Sequence, residues 1–412
     1  MGRKKKHVQS DVSATQDPTP LLMPVQAVPL SIRVGALMMV RNEERRILVS
    51  LKSVTGVVTD LILFDTGSTD STVSVVREFC NTNLITLTLK QGAFIDFSTS
   101  RNELLDLADT VDVDWLVLLD CNDELRGGEG LCKFLQTPAL GKCSTVMTSQ
   151  VWKAGGVESE HFNLRIIRNR IGWRYKGVVH EYLDAPTPPD AFGNSQAKAP
   201  SSICIYQDRD QDDDKTSKRW HRDVVLLEEE FKRHPEDRRT VFYLAQTYEC
   251  LGDLPNALRC YELRAEMSGG FLEEQSVAAM RCGDVIGKLA RTLDRPDRWH
   301  ERLVWYIKSY ELCPDRVDAI VKIALHYTER RAWKLAYTFS TLACNSDYPR
   351  NVDLFIDKNA YDYTRWHVMG RCAYYVGEFK VGKAAVLKAI EARHLPIDQH
   401  NLEFYNQLKS AR

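Results

Sequence analysis

The stretch that decides the fold lies at 115–123 and reads WLVLLDCND. A continuous apolar run of this length is typical of a strand that is buried on both faces of a sheet. Carboxylates at the end of such a strand cost free energy unless they meet solvent or a cation. Turns also commonly begin with Asp and Asn, so this pattern alone leaves a plain turn open. In combination with a second acidic strand end, it predicts a ligand site.

The chain on the N-terminal side of this strand alternates between strand-length apolar runs and helix-like stretches. The predicted strands are 32–40, 60–64, 84–89 and 115–119, and the predicted helices are 43–54, 71–79 and 98–107. This alternation predicts a mostly parallel, helix-covered sheet. Such sheets bind ligands at the carboxyl ends of their strands. Residues from about 140 to 206 have a less regular pattern.

Asp65 is the second acidic strand end. It follows the strand at 60–64 and precedes Thr66-Gly67-Ser68-Thr69-Asp70. By itself this segment is a helix N-cap pattern. Two acidic strand ends in one parallel sheet, however, can hold Mg²⁺ or Mn²⁺ against the phosphates of a substrate. The two ends together therefore predict a pocket for a nucleotide and a divalent cation.

Composition limits the class of protein. The 412 residues include 55 Lys+Arg and 56 Asp+Glu, for a net charge of −1. This balance favours neither nucleic acid nor an anionic membrane as a partner, and no apolar run approaches the roughly 20 residues of a transmembrane helix. The 11 cysteines contain no Cys-x-x-Cys pair, and no apolar signal core follows the basic N-terminus. We therefore expect a cytoplasmic protein with free thiols.

The C-terminal half reads as helices throughout. Residues 240–267 combine Tyr243-Leu244-Ala245, a Gly252-Asp253 turn and Tyr261, and thereby resemble a tetratricopeptide repeat. Looser units follow, so an unspecific helical bundle stays open as the alternative. Stacked helical pairs form a concave surface suited to a peptide or protein partner. The expected organisation is a flexible arm at 1–31, an α/β domain at 32–206, an acidic loop and linker helix at 207–239, and helical repeats at 240–412.

The order of several motifs resembles the family 2 glycosyltransferases. The matching pieces are MVRNEE at 39–44, FDTGSTD at 64–70, FSTSRN at 97–102, DCNDEL at 120–125, RIIR at 165–168 and YKGVVHE at 175–181. The last two are similar to a subgroup in which helical repeats follow the transferase. The resemblance implies a GT-A fold, a Rossmann-like mixed sheet that binds nucleotide-diphospho-sugars, followed by an all-α helical-repeat domain.

The resemblance also implies roles for individual residues of the nucleotide pocket. Asp65 would contact the uracil or ribose of a nucleotide-sugar donor, most simply a UDP-sugar. Arg101 would offset phosphate charge, as an Arg fork suits. The remaining predicted nucleotide-site residues are Val40, Asn42 and Glu43 beside Asp65, Asn102 beside Arg101, Asp120, and Arg168 as a contact of the diphosphate or the acceptor.

The metal site that the resemblance implies consists of Asp120, Asn122, Asp123 and His180. A histidine ligand favours Mn²⁺ over Mg²⁺. Two positions depart from the family pattern. Asn122 stands where related sequences usually carry a carboxylate, which weakens metal affinity, and Tyr206 lies where relatives often have a histidine.

Family 2 enzymes invert the anomeric centre, which requires a general base. Glu181 is the predicted base and Asp184 the reserve, with Asp123 as a second catalytic carboxylate. The predicted function is an inverting, metal-dependent glycosyltransferase of the hexosyltransferase type, whose protein, peptide or glycan acceptor is held by the repeats. The alternative, favoured by Asn122 and Tyr206, is a helical-repeat scaffold with a degenerate transferase domain. A Rossmann dehydrogenase is a poor third, because no Gly-x-Gly-x-x-Gly follows the first strand.

Overall fold

The computed structural model of the chain describes residues 32–154, 157–184, 195–210, 215–349, 352 and 354–410. The predicted arm at 1–31 and residues 211–214 of the predicted acidic loop lie outside these ranges. In sequence order, a mixed β-sheet with helices on both faces is followed by a series of helices.

The strands form where the sequence has apolar or alternating runs. Their bounds are β1 Val34–Val40, β2 Asp60–Asp65, β3 Thr86–Gln91, β4 Trp115–Leu119, β5 Asp123–Arg126, β6 Thr145–Ala154, β7 Val157–Arg168, β8 Arg174–Lys176, β9 Tyr182–Asp184, β10 Gln196–Lys198 and β11 Cys204–Asp208. All five residues of β4 are buried, as its sequence predicts. The strand predicted at 84–89 begins later, because Leu84 adopts a left-handed conformation (φ 55°) at the end of the preceding helix.

The main sheet has the strand order β3-β2-β1-β4-β7-β6-β11-β5, with β10 also paired to β6. Strands β3, β2, β1 and β4 are parallel, whereas β7 is antiparallel to both β4 and β6. Val40 lies opposite Asp65, and Met38 lies opposite Leu119. The carboxyl ends of β1, β2 and β4 therefore meet at one edge. The segment 140–206, whose sequence pattern is less regular, contains β6, β7 and β11 of this sheet.

Helices cover both faces of this sheet. They are α1 Ile47–Ser53, α2 Thr72–Asn83, α3 Phe97–Ala108 and α4 Gly128–Leu135, with a 3₁₀ turn at Pro138–Lys142. Alternate residues of β1 belong to different apolar clusters: Met38 packs with Ile47 of α1, and Leu37 packs with Leu104 of α3. Burial on both faces explains why the parallel strands read as nearly continuous apolar runs.

The C-terminal part is helical, as predicted. Its helices are α5 Lys215–Arg233, α6 Arg238–Leu251, α7 Leu254–Glu266, α8 Leu272–Thr292, α9 Trp299–Leu312, α10 Asp318–Glu329, α11 Trp333–Cys344, α12 Arg365–Val376, α13 Phe379–Ala392 and α14 Pro396–Ser410, with a π turn at Ala360–Thr364 before α12. The predicted turn at Gly252 is present, because Gly252 ends α6 in the left-handed conformation that glycine favours, and Gly377 ends α12 in the same way. Among the described helices, none combines the length and apolar character that a membrane-spanning segment requires.

Candidate active site

Asp65 is fixed at the edge where the parallel strands end. It is the last residue of β2, lies beside Val40 of β1, and is buried. Its Oδ1 accepts a hydrogen bond from the backbone N–H of Ser68 (3.1 Å), and its Oδ2 accepts one from Nε2 of Gln91 (3.0 Å). The carboxylate is thus held in one orientation by its own loop and by β3.

The loop after β1 is tied to the loop after β2. Asn42 adopts a left-handed conformation (φ 54°), and its Oδ1 accepts a hydrogen bond from the backbone N–H of Thr69 (2.7 Å). The backbone N–H of Glu43 donates to Oγ1 of Thr72 (2.7 Å). Asn42 and Glu43 therefore lie on the loop that adjoins Asp65, as the sequence predicts. The amide of Asn42 holds the two loops together.

The acidic turn after β4 contains one exposed and one buried carboxylate. The backbone N–H of Asp120 donates to Oδ2 of Asp123 (2.9 Å), and Oγ of Ser50 in α1 donates to the carbonyl of Asp120 (2.7 Å). The side chain of Asp120 is 42% exposed, whereas that of Asp123 is 0% exposed. The Asp120 side chain is therefore partly open to solvent, and the Asp123 side chain is buried beneath the turn.

Arg101 of α3 joins the predicted base to this turn. Its Nε donates to Oε1 of Glu181 (2.6 Å), and its Nη2 donates to Oδ1 of Asp120 (3.3 Å). The side chain of Asp96 caps α3 through the backbone N–H of Thr99 (2.7 Å), which fixes the start of the helix. Three segments distant in sequence thus meet at a single guanidinium group.

Arg165 of β7 is a second cation at the acidic turn. Its Nη1 lies 3.3 Å from Oδ2 of Asp123 and 3.7 Å from Oδ2 of Asp120. Its Nε and Nη2 both donate to Oε1 of Gln150 in β6 (3.0 and 2.8 Å). Gln150 therefore orients this guanidinium toward the carboxylates.

The two carboxyl groups of the turn have opposite pKa shifts. Burial alone would raise the pKa of Asp120, but Arg101 and Arg165 outweigh it and hold that pKa below its ordinary value. Burial and the neighbouring charge of Asp120 raise the pKa of Asp123 to about 7, against the opposing effect of Arg165. Asp120 is thus the carboxylate that ionises more readily, and Asp123 is the one that holds a proton more readily.

Gln207 of β11 is a site residue that the sequence analysis missed. Its Nε2 lies 3.0 Å from Oδ1 of Asn122 and 3.2 Å from Oδ1 of Asp123. It lies opposite Asp123 because β11 pairs with β5 in antiparallel register. The sequence carries no signal for this contact, because the pairing of β11 with β5 brings Gln207 to Asp123. The residue before Gln207 is Tyr206. The guanidinium carbon of Arg126 lies 3.5 Å from the centroid of the Tyr206 ring.

His180 does not join the other predicted metal ligands. Its imidazole stacks on the ring of Tyr243 in α6, with centroids 4.0 Å apart and planes inclined by 17°. Its neighbour Glu181 instead reaches Arg101. The adjacent side chains of His180 and Glu181 thus contact different helices, α6 and α3. The reserve base, Asp184, forms an ion pair with Lys176 (2.5 Å).

The donor set at the acidic turn does not fit a divalent cation. No three His, Cys, Asp or Glu side chains within the described ranges come together as a metal site. Both Asp120 and Asp123 face Arg165, and Asp120 also faces Arg101. The only oxygen of the Asn122 side chain accepts a hydrogen bond from Gln207. Guanidinium groups thus lie where the resemblance implies a metal ion.

Two further residues predicted for the nucleotide site, Arg168 and Asn102, contact other parts of the chain in the structure. Arg168 pairs in register with Trp115, at the start of β4, and its Nε donates to the carbonyl of Cys143 (2.8 Å). At about 3.3 Å per residue, Trp115 lies roughly 16 Å from Asp120, so the structure places Arg168 at the opposite end of β4 from the acidic turn. Asn102 exchanges two hydrogen bonds with the backbone of Tyr175 (2.9 and 2.7 Å) and ties α3 to β8. It supports the helix that carries Arg101.

Comparisons with known proteins agree with this architecture. Residues 36–186 match the family model "Glycosyl transferase family 2". No curated protein matches the chain. Among solved structures, TarS 1-349 of S. aureus in complex with UDP-GlcNAc is 13% identical, with 68% of this chain and 92% of that chain covered and a TM-score of 0.39.

Two further solved structures are similar to somewhat less than half of this chain. A thermophilic TPR protein of Thermus thermophilus is 16% identical, with 47% of this chain and 92% of that chain covered and a TM-score of 0.29. MamA is 13% identical, with 44% and 94% covered and a TM-score of 0.32. The match of residues 36–186 to the family 2 glycosyl transferase model agrees with the mixed sheet, which is consistent with a GT-A fold and is followed by a C-terminal helical region.

Proposed function

We propose that the chain transfers a sugar from a nucleotide-sugar donor, in the first instance a UDP-sugar, to an acceptor hydroxyl with inversion of the anomeric centre. The observation that carries the proposal is the position of Arg101. It contacts Glu181 and Asp120 at the sheet edge where Asp65 ends β2, inside the family 2 domain. A buried carboxylate for the nucleoside, a cation and a candidate base are thus available at one edge.

The nucleoside half of the donor would lie against β1 and β2. Asp65 would accept hydrogen bonds from the uracil or ribose, beside Val40 and the loop that carries Asn42 and Glu43. Its present hydrogen bonds with Ser68 and Gln91 support this role, because they fix the carboxylate before a ligand arrives. A preorganised group loses less entropy when the ligand binds.

The proposed transfer step requires a proton acceptor and a leaving group. Glu181 would take the proton of the acceptor hydroxyl while that oxygen bonds to the anomeric carbon. The bond from the same carbon to the diphosphate oxygen breaks, and the nucleoside diphosphate leaves with its electron pair. Attack from the face opposite the leaving group inverts the centre. Arg101, next to Glu181, would offset the negative charge that grows on the diphosphate.

The resemblance implies dependence on Mn²⁺ or Mg²⁺, but the proposed transfer step includes no metal ion. Arg101 and Arg165 pair with the carboxylates that would hold the ion, and His180 stacks on Tyr243. The acceptor would be a peptide, protein or glycan presented by the helical repeats, whose stacked pairs offer an extended surface.

A donor screen tests the proposal. The purified chain is incubated with UDP-glucose, UDP-galactose, UDP-N-acetylglucosamine or GDP-mannose, each with Mn²⁺ and with EDTA, and release of the nucleoside diphosphate is measured. We expect release from at least one donor, and loss of release in Asp120→Ala. Asp112→Ala is the matched control, because Asp112 is an exposed carboxylate near the start of β4.

The alternative function, an interaction scaffold with a degenerate transferase domain, is favoured by Asn122, whose side-chain oxygen is engaged by Gln207. The same screen separates the two functions. Binding of a nucleotide without turnover of any donor supports the scaffold. Release that requires Asp120 supports the enzyme.

A further inference from the structure

We propose that Arg239 and Tyr243 of α6 are positioning residues for sugar transfer, because they fix the segment 177–181 that carries Glu181. The inference rests on the proposed function. It makes the first helices of the C-terminal part a component of the active site, in addition to any role in holding an acceptor.

The first contact between α6 and the segment is made by His180. Its ring stacks on Tyr243, and its carbonyl oxygen accepts a hydrogen bond from Nη2 of Arg239 (3.0 Å). His180 also has a left-handed backbone conformation (φ 52°), which is uncommon in residues other than glycine. A strained conformation of this kind persists only where surrounding contacts maintain it. Here the stack and the hydrogen bond provide those contacts.

Arg239 is itself anchored in the helical core. Its Nη1 lies 3.0 Å from Oε1 of Glu274 in α8, whose side chain is 3% exposed. The guanidinium also lies against the rings of Tyr182 (5.0 Å) and Tyr243 (4.8 Å), at distances typical of cation–π contacts. A guanidinium held on several sides has little freedom to move. It therefore provides a rigid donor for the carbonyl of His180.

The residues before His180 bridge the two parts of the chain. Val179 is buried among the apolar residues of the helical part, including Leu227 and Val241. The carbonyl of Val178 accepts a hydrogen bond from the backbone N–H of Phe97, the first residue of α3 (3.3 Å). The segment is therefore fixed between α3 and the helical core.

Glu181 receives its orientation from this arrangement. With the ring of His180 on α6, the next side chain points to Arg101 of α3, at 2.6 Å. A general base must lie within hydrogen-bond reach of the proton that it accepts. A displacement of about 1 Å costs on the order of 10²-fold in rate. Loss of the contacts on α6 would release the segment and lower the rate of transfer, while the nucleoside site at Asp65 would stay intact.

The test uses the full chain with the donor that the screen identifies. Arg239→Ala removes the donor to His180, and Arg239→Lys restores a single donor and the charge beside Glu274. His180→Asn removes the stacked ring and keeps a residue that tolerates the left-handed conformation. Tyr243→Phe keeps the stack, whereas Tyr243→Leu loses it. Arg238→Ala is the matched control on the same helix, because Arg238 contacts the carbonyl of Ser268 instead.

The readouts are kcat, KM for the donor, and the Kd of the released nucleoside diphosphate. We expect kcat to fall about tenfold or more in Arg239→Ala and His180→Asn, with Kd within about twofold of wild type. The kcat of Arg239→Lys should be higher than that of Arg239→Ala. The kcat of Tyr243→Phe should be higher than that of Tyr243→Leu. Thermal unfolding of each variant confirms that it is folded. Arg239→Ala leaves the buried Glu274 without this partner and can destabilise the fold. In that case His180→Asn, which keeps Arg239, still tests the inference.

Two results overturn the inference while the proposed function stands. One is a folded His180→Asn variant with the kcat of wild type. The other is an equal loss of nucleoside diphosphate affinity and of kcat, which would make His180 or Arg239 a ligand contact. A wild-type chain that releases no nucleoside diphosphate from any donor contradicts the proposed function itself, and the inference fails with it.

Discussion

Nε of Arg101 lies 2.6 Å from Oε1 of Glu181, and Nη2 of the same side chain lies 3.3 Å from Oδ1 of Asp120. One planar cation thus spans the candidate base and the acidic turn. Charge-assisted hydrogen bonds of this kind are short and directional. Because Arg101 belongs to α3, the position of Glu181 depends on this helix, and Arg101 links Glu181 to Asp120.

The first prediction concerns Glu181→Gln. The amide keeps an oxygen that accepts the hydrogen bond from Arg101 but takes no proton, so transfer should fall by roughly 10²-fold or more. The Kd of the nucleoside diphosphate, measured by calorimetry, should be unchanged. Asp184→Asn is the comparison, because that carboxylate pairs with Lys176 instead. A large loss in Asp184→Asn with none in Glu181→Gln would transfer the role of base to Asp184.

The second prediction compares the two ends of β2. Asp65→Asn places an amide where Oδ1 and Oδ2 now accept hydrogen bonds from Ser68 and Gln91, so a donor meets a donor. We expect a loss of about 1–3 kcal/mol in the free energy of unfolding and about tenfold or more in nucleotide affinity. Asp60→Asn, at the buried opposite end of the strand, disturbs the contact with Arg33. It should cost stability without changing nucleotide binding. Equal binding losses in both variants would contradict a nucleoside role for Asp65.

The third prediction concerns divalent cations. The wild-type chain should bind Mn²⁺ weakly, because Arg165 meets both carboxylates of the turn. Asn122→Asp adds a third carboxylate there and should strengthen Mn²⁺ binding about tenfold or more, since carboxylate count tunes cation affinity. Electron paramagnetic resonance titration of Mn²⁺ measures both values. Asn81→Asp makes the same charge change on the exposed surface of α2 and should have no effect. Tight Mn²⁺ binding by wild type, unaltered by Asn122→Asp, would contradict this prediction and support the metal site that the resemblance implies.

The part of the site that could be predicted from the sequence is the part built by local rules. Apolar runs that end in Asp65 and Asp120 mark buried strands, and parallel strands bring their carboxyl ends to one edge. The mostly parallel, helix-covered sheet and the helical repeats followed from the same kind of pattern, whereas the GT-A fold was implied by the resemblance to family 2 glycosyltransferases. The turns at Gly252 and Gly377 were predictable because left-handed helix ends favour glycine.

The remainder depends on pairings between distant segments. Arg165 and Arg168 are three residues apart in the motif at 165–168, and Arg168 was predicted to contact the diphosphate or the acceptor. Because β7 runs antiparallel to β4, each step from Arg165 toward Arg168 leads away from the carboxyl end of β4. The sequence contains no signal for that direction. Likewise, Gln207 reaches Asp123 only because β11 inserts between β6 and β5. Such registers are set by tertiary packing.

The fourth prediction concerns acid stability of the helical part. The ring of His326 stacks on Trp299, with centroids 3.3 Å apart and planes inclined by 4°. Burial, with Arg330 and Arg302 nearby and Asp297 opposing them, lowers its pKa from 6.5 to about 4. The unfolded chain thus binds the proton more tightly than the folded chain. The contribution to stability is present above pH 6.5 and is lost as the pH falls toward 4.

His326→Phe keeps an aromatic stack without the titrating group. Denaturation midpoints of wild type and variant, measured from neutral pH down to the acid range, should therefore converge or cross as the pH falls through this window. The wild-type midpoint should decrease more steeply than that of the variant. Parallel curves would contradict a buried, neutral His326.

The fifth prediction separates backbone strain from steric overlap at two glycines. Gly56 and Gly127 both have φ of 75°, but a Cβ atom on Gly56 meets nothing within 4 Å, whereas one on Gly127 would overlap the carbonyl oxygen of Ser202. Gly56→Ala should therefore cost about 1–2 kcal/mol of unfolding free energy for the left-handed backbone alone. Gly127→Ala should cost about 1–3 kcal/mol more for the overlap. Because Ser202 leads into β11, displacement there should also move Gln207 from Asp123 and lower transfer. Equal losses of stability in the two variants, measured by chemical denaturation, would show that the contact with Ser202 relaxes freely.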